Sequence, residues 1–558
     1  MIAEQIASGV LAKIALPFWD TTIVIAYIIG IMILGIWAGY RKKTSTTQLF
    51  LAGRSFPWTI IGPGLFCANI STIHLVGLAS DGYRTGLGVG NFEWGAAFCL
   101  IVLGLVFAPF YFRSKLSTLP EYVEKRYCPL TRTILAAVFI ISALLIHIGI
   151  SLYAGAAVLE EFFGFPMLVS IIGIATVTAI YTILGGLRAI MITNVVQAVL
   201  LIFGAIILTA FGLNALSERG ITSLAQLRQS VSPDLDVSMI QPIRDSATGR
   251  MNAYSWLAVI AGYPILGIWY WCTDQTIVQN ILAAKSEKDG RDGAILGGFL
   301  KILPVFIMVL PGVLAFALFR DQIGTDNDKA LMVMMKNLLP VGLRGLFAAG
   351  LLAALMSTIE AALNSTATLT TTDIIKRIRP KTKDRTLVWS GRITAGVVIL
   401  LAMAWSTQGG KFESIFEAIN KIPMMFAPAI TTIFVLGVFW KRATKYAAVT
   451  TLLFNLAIGI VYLAVDIPLI PGMTERLVAD IWDIPFMLAG GIIFVMCIAI
   501  FIIVSLSTPA PDPEKLKNLT WKHPLEFITY GKITGITDPR IMAAALFILM
   551  IVLYCLLS

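Results

Sequence analysis

Residues 61–74 read Ile61-Gly62-Pro63-Gly64-Leu65-Phe66-Cys67-Ala68-Asn69-Ile70-Ser71-Thr72-Ile73-His74: an apolar run broken at Pro63-Gly64, then a polar string of Asn69, Ser71, Thr72 and His74. A helix in lipid must satisfy its own backbone hydrogen bonds, so breakers inside a span mark backbone that faces a cavity. A second stretch repeats the pattern. Gly262, Pro264 and Gly267 lead into Tyr270, Thr273, Asp274 and Gln275. A packing kink accounts for either break alone, but two at corresponding positions are harder to produce by accident.

The surroundings of both stretches are those of a membrane protein. Of 558 residues, 58% are hydrophobic and 13% charged, and the mean hydropathy is +0.85. Soluble domains run at about 45–50% apolar and about 25% charged. Apolar runs of 18 or more are spanning candidates. They predict fourteen helices, over 18–40, 58–80, 88–112, 132–162, 164–184, 188–215, 252–283, 293–320, 340–377, 386–407, 412–440, 445–465, 484–507 and 539–557. Basic residues cluster in the loops after odd-numbered helices, six of them between Lys376 and Arg385. The positive-inside rule puts those loops in the cytoplasm and, with an even helix count, both termini outside. The net charge of +10 therefore reports orientation and argues against nucleic acid as a partner.

The broken helices are the second and seventh, five apart and opposite in topology. Inverted five-helix repeats with a discontinuous first helix describe a secondary transporter with its site near the bilayer midplane. The expected organisation is an N-terminal segment and helix (1–57), a first repeat (58–215), an extracellular loop (216–251), a second repeat (252–440) and C-terminal helices with a cytoplasmic segment (441–558). The six cysteines have no metal spacing and suggest no disulfide framework. No signal peptide is expected.

A charge at the bilayer centre costs about 2.5–3.5 kcal/mol even on a lenient scale. Ionisable residues deep in spans are therefore functional candidates: His74, Glu93, His147, Asp274, Lys301 and Glu360. Each has a plainer alternative. Lys301 sits where a lysine reaches the cytoplasmic interface by snorkelling, Glu93 fits an interfacial carboxylate, and Asp274 fits a half-helix cap. His147, without polar company within a turn, reads as a core histidine. On the ninth helix, small residues around 353–366 permit close packing. The sharper reading there is a cation site, since Na+ needs oxygens in place of its water and the adjacent Ser357 and Thr358 hydroxyls supply two.

Several longer motifs now stand out. Trp269-Tyr270-Trp271-Cys272-Thr273-Asp274-Gln275, Phe299-Leu300-Lys301-Ile302-Leu303-Pro304, Asn364-Ser365-Thr366-Ala367-Thr368 and Phe439-Trp440-Lys441-Arg442 resemble the sodium–glucose cotransporter branch of the solute:sodium symporter family. So do Ala68-Asn69-Ile70-Ser71 and Phe92-Glu93-Trp94, and the likeness runs from about residue 45 to 450. The resemblance implies an all-α membrane fold of fourteen transmembrane helices, with a LeuT-type 5+5 inverted-repeat core, one helix before it and three after. It implies a sodium site of Cys67, Ile70 and Ala354 backbone oxygens with the Ser357 and Thr358 hydroxyls. It also implies a sugar site of His74, Glu93 and Lys301, with Tyr270 stacking on the ring as an inner gate tethered by Asn69, and Trp271 lining the pocket.

The chain departs from the family pattern at three places. Asn420, which the resemblance places in the sugar site and which is followed by Lys421, stands where these cotransporters have Gln. Asn194 stands where an Asp is common, and Glu360 where two-sodium members have Thr, which makes Asn194 and Glu360 a candidate second cation site. Arg84 and Asp81 sit at the outer end of the second helix. The expected function is sodium-coupled import of a glucose- or galactose-like monosaccharide by alternating access. Inositol, a uronate, sialic acid or another small solute is the first alternative, and a non-transporting sensor or channel the second. An enzyme is not expected, since no nucleophile–base pair or metal cluster is evident. The partners implied are a sugar, sodium and the bilayer, with no obligate protein partner. Short extracellular loops without cysteines favour a bacterial inner membrane.

Overall fold

Backbone in lipid has two spanning solutions, helices or closed barrels, and this chain takes the first. The computed structural model describes residues 17–40, 45–232, 235–245, 248–408, 421–466, 475–531, 533 and 535–558. Among them the only β pairings are isolated bridges. The principal helices are α1 (Phe18–Gly39), α2 (Trp58–Asn69), α3 (Thr72–Thr85), α4 (Asn91–Val102), α5 (Pro129–Ser142), α6 (Met167–Glu218), α7 (Trp256–Gly267) and α8 (Gln275–Leu282). They continue with α9 (Glu287–Leu300), α10 (Leu310–Ile323), α11 (Leu343–Leu369), α12 (Asp384–Ser406), α13 (Ala427–Phe439), α14 (Lys445–Asp466), α15 (Phe486–Ser507) and α16 (Pro539–Leu556).

Among the described residues, eleven helical stretches are long and apolar enough to cross a membrane, against fourteen expected. Three local features account for the difference. The helical stretches 74–113 and 167–218 each run through a turning point, at Gly86 and Gly186. Both glycines have positive φ, +77° and +57°, where a side chain is strained. A Cβ on Gly86 would also lie 1.6 Å from the Asp236 carbonyl oxygen. The described part of the expected eleventh helix is short, with α13 spanning 13 residues.

α11 is the hub. From Phe347 to Leu369 every residue is buried, packed by α6 and α1 among others. The small residues Ala348, Ala349, Gly350, Ala353 and Ala354 allow that approach. Asp20 of α1 accepts hydrogen bonds from the Gly342 and Gly345 amides, both at 2.7 Å, and so caps the start of α11. Outer helices leave apolar side chains exposed, such as Phe18 and Trp37 on α1 and Phe547 and Ile548 on α16, as a lipid-facing surface requires. The 216–251 loop folds back on the bundle, where Asn91 Nδ2 donates to Met239 O at 2.8 Å.

The 508–538 segment wraps one end of the bundle. Trp521 is buried, its ring 4.7 Å from that of Phe110, and its amide donates to Val438 O at 2.8 Å. Arg113 stacks over Tyr530 at 3.9 Å and donates to its hydroxyl at 3.0 Å.

Candidate functional site

Pro63 lies inside α2, which ends at Asn69. Ile70 (ψ 116°) and Ser71 (φ −112°, ψ 173°) are extended before α3 begins. This gap turns carbonyl oxygens away from the helical ladder and toward α11. Ser357 Oγ lies 2.8 Å from the Cys67 and Ala354 carbonyl oxygens and 3.5 Å from that of Ile70. Thr358 Oγ1 lies 3.4 Å from Ile70 O and Ala354 O, and 3.5 Å from Ala68 O. These six oxygen–oxygen approaches are served by only two hydroxyl protons. The remaining lone pairs face one another in a buried space, an arrangement that a cation relieves. All five oxygens expected at a sodium site converge here. Ala68 O is a sixth that the motif comparison did not name.

The second break is built differently. α7 runs into a π-helical turn, Ile268–Thr273, and Asp274 is extended (ψ 131°) before α8. Asp274 Oδ1 accepts from the Thr276 amide at 2.8 Å and so caps α8. The wide turn carries Tyr270 and Trp271, whose rings meet edge to face with centroids 5.2 Å apart. π-Turns concentrate at functional positions because they re-aim side chains.

Between the two breaks lies a cavity of about 130 Å³. Asn69, His74, Glu93, Tyr270, Trp271 and Lys301 all line it. Asn69 Nδ2 donates to the Tyr270 hydroxyl at 3.2 Å, the expected tether between the broken helices. His74 Nδ1 accepts from the Ser71 amide at 3.2 Å, so the neutral ring carries its proton on Nε2. Lys301 is 1% exposed and donates to Glu93, itself 3% exposed. Its ammonium also sits 5.2 Å from the Trp271 ring. Lys301 therefore does not snorkel, and Glu93 is not an interfacial carboxylate. Asn420 lies outside the described residues.

His147 departs from its expected role as a core histidine. It lines the cavity, its ring centroid 5.9 Å from that of Tyr270. Its Nε2 is buried, has no hydrogen-bond partner among the described residues and lies 3.9 Å from Asp274 Oδ2. Ser151, four residues on, lines the cavity with it. Glu360 is fully buried; the hydroxyl of Thr193, one residue before Asn194, approaches its carboxylate at 3.3 and 3.4 Å, and the Tyr181 hydroxyl faces it as well. The amide atoms of Asn194 are buried without a hydrogen-bond partner among the described residues.

Two broken helices, a buried oxygen cluster across one break and a small polar–aromatic cavity beside the other define a multi-pass membrane carrier. The profile of the Sodium:solute symporter family matches residues 49–454, and the chain belongs to that family. Sodium is its coupling ion, and its work is transport, not catalysis. It is 34% identical over 543 residues to sodium/glucose cotransporter 4 of Danio rerio, covering 91% of this chain and 82% of the relative. It is 31% identical over 541 residues to sodium/myo-inositol cotransporter 2 of Sus scrofa, covering 90% and 78%. Among solved structures, a Na+-coupled sialic acid symporter in a substrate-bound outward-open state matches with a TM-score of 0.74 at 20% identity, covering 89% of this chain and 99% of that one. The nucleobase-cation symporter Mhp1 matches at 0.51 and 14%, covering 86% and 98%. At these identities the structures speak for the fold alone.

Proposed function

We propose that the chain imports a neutral polyhydroxylated ring, a glucose- or galactose-like monosaccharide, with sodium by alternating access. The observation that carries this reading is the cavity wall. Lys301 and the His74 Nε2–H offer donors, Glu93 offers an acceptor, and Tyr270 with Trp271 offers an aromatic face for a ring's C–H side. A site built to bond hydroxyls rejects analogues that lack them, because its own buried polar groups would be left unpaired. The relatives named for glucose and for myo-inositol support the class and make inositol the nearest alternative. An acidic sugar is disfavoured because the nearby cations are engaged: Arg84 with Asp81 at 2.8 Å and Lys421 with Asp466 at 2.7 Å.

In this reading sodium sits on the Cys67, Ile70 and Ala354 oxygens with the Ser357 and Thr358 hydroxyls, joining α2 to α11. Its departure toward the cytoplasm loosens the Tyr270–Asn69 tether and opens the inner side. The architecture is fourteen helices, with repeats at 58–215 and 252–440, one helix before and three after, both termini outside, in a bacterial inner membrane. The membrane potential adds about 2.3 kcal/mol per charge per 100 mV to the driving force. The test is uptake into proteoliposomes under an inward sodium gradient, with potassium or choline controls, across glucose, galactose, inositol, galacturonate and sialic acid. Concentrative, sodium-dependent uptake of a neutral ring is expected. Uptake of galacturonate or sialic acid alone overturns the solute assignment.

A further inference from the structure

One side of α12 packs on the bundle, with Leu387, Val388, Gly391 and Ala395 buried. A Cβ on Gly391 would run into Phe50 and Thr371 there. The other side is apolar and exposed, at Trp389, Ile393, Val397 and Leu400, as a lipid-facing stripe requires. Arg392 is half-buried between the two sides. It stands eight residues past Asp384, where the helix begins, or about 12 Å along the axis. The headgroup layer is roughly 5–8 Å deep on each side of a bilayer.

An arginine at that depth is costly unless it reaches water, an acid or a phosphate. Its Nε is buried with no hydrogen-bond partner, and no carboxylate pairs with the guanidinium, among the described residues. Helical side chains lean toward the N-terminus, which for α12 is the end at the basic 376–385 loop. The guanidinium accordingly lies 5.3 Å from the centre of the Trp389 ring, one turn back. Tryptophan gathers at the headgroup level, and Arg385 is a further turn out on the same face.

The adjoining loop concentrates positive charge, with six basic residues and one acid from Lys376 to Arg385. Arg377 is engaged, donating to Thr133 and lying 3.9 Å from Glu124. Lys376, Arg379, Lys381, Lys383 and Arg385 are exposed and, among the described residues, have no carboxylate partner. Ile378 in their midst is 74% exposed, which suits a loop laid against a membrane surface. A guanidinium fork matches phosphate oxygens bidentately. A zwitterionic headgroup would bring its own ammonium among these cations, whereas an anionic one brings only charge that they attract.

We propose that the Arg385–Trp389–Arg392 face of α12, with the adjoining loop cations, binds one anionic phospholipid from the leaflet on that side. Its phosphodiester sits on the Arg392 and Arg385 guanidinium groups, and its acyl chains run along Ile393, Val397 and Leu400.

Purified full-length protein in mild detergent is titrated with phosphatidylglycerol or phosphatidylcholine, with inorganic phosphate as competitor, and bound lipid is counted by native mass spectrometry. The first phosphatidylglycerol should bind at least about tenfold more tightly than phosphatidylcholine, and inorganic phosphate should not displace it. Arg392→Gln should weaken phosphatidylglycerol at least about tenfold, the size of a lost charge-assisted hydrogen bond, and leave phosphatidylcholine unchanged. Arg385→Gln, an exposed change, should weaken it about fivefold and keeps the test decisive if Arg392→Gln does not fold. Equal binding of the two lipids, phosphatidylglycerol binding unchanged in either folded variant, or a variant that loses both lipids alike overturns the proposal. Displacement by inorganic phosphate overturns the lipid assignment and makes the cluster a site for the free anion.

Discussion

Ser357 and Thr358 sit side by side on a helix so buried that an ordinary core would place apolar residues there. Their hydroxyls each approach three carbonyl oxygens and can bond to only one. Thr358→Ala removes one oxygen from this cluster. It is expected to raise the sodium concentration for half-maximal uptake roughly tenfold, the size of one lost buried polar contact, with the protein still folded. Unchanged sodium activation would take Thr358 out of the site. Lys301 tests the solute side. Lys301→Ala leaves Glu93 buried and unpaired, an effect of about 3–5 kcal/mol, so a thermal shift and lost uptake should appear together. Lys301→Met with Glu93→Gln removes both charges and should recover most of the thermal stability without recovering uptake. Recovered uptake in the double variant would make the pair structural only. At this scale the sequence marked the ionisable side chains His74, Glu93 and Lys301 of the cavity, because such groups inside apolar runs are conspicuous. It did not place His147 or Ala68, because a histidine's surroundings and a carbonyl's direction depend on helix geometry that residue type does not carry.

The elements owe their lengths to a few backbone positions. Gly86 and Gly186 turn the chain inside otherwise continuous helical stretches, so boundaries drawn by hydropathy agree with the structure in place but not in count. Gly86→Ala forces a side chain onto positive φ and against the Asp236 carbonyl. Strained backbone of that kind costs about 1–3 kcal/mol, to which the clash adds, and the expected result is a lowered melting temperature or loss of folded protein. Gly220→Ala, also at positive φ but with open space around it, should lower it less. Equal effects would show that the loop carbonyl yields freely. The 508–538 segment, expected from sequence to be a cytoplasmic stretch with no purpose assigned, is tied down by aromatic and cationic contacts around Trp521. Removing that buried ring in Trp521→Ala should destabilise by about 3–5 kcal/mol, read as a melting shift in detergent. A shift near zero would mean the segment rests on the bundle without holding it.

At the scale of the whole molecule, charge placement and helix breaks set topology, and packing sets the site. The proposed fourteen crossings put the C-terminus outside. In a Cys555→Ser background, Ser558→Cys should react with an impermeant maleimide added to intact right-side-out vesicles. Labelling only after the membrane is opened would reverse the orientation. The sequence alone determined that this is a helical membrane protein with two interrupted spans, since apolar length and helix breakers act locally and lipid allows few alternatives. The tertiary structure alone decided that Lys301 and Glu93 pair with each other and that His147 joins the cavity. It also decided that, among the described residues, Glu360 has no cationic partner beside the oxygen cluster. Each of these depends on helices far apart in sequence meeting side by side, and that meeting is set by the shapes of many buried side chains acting together.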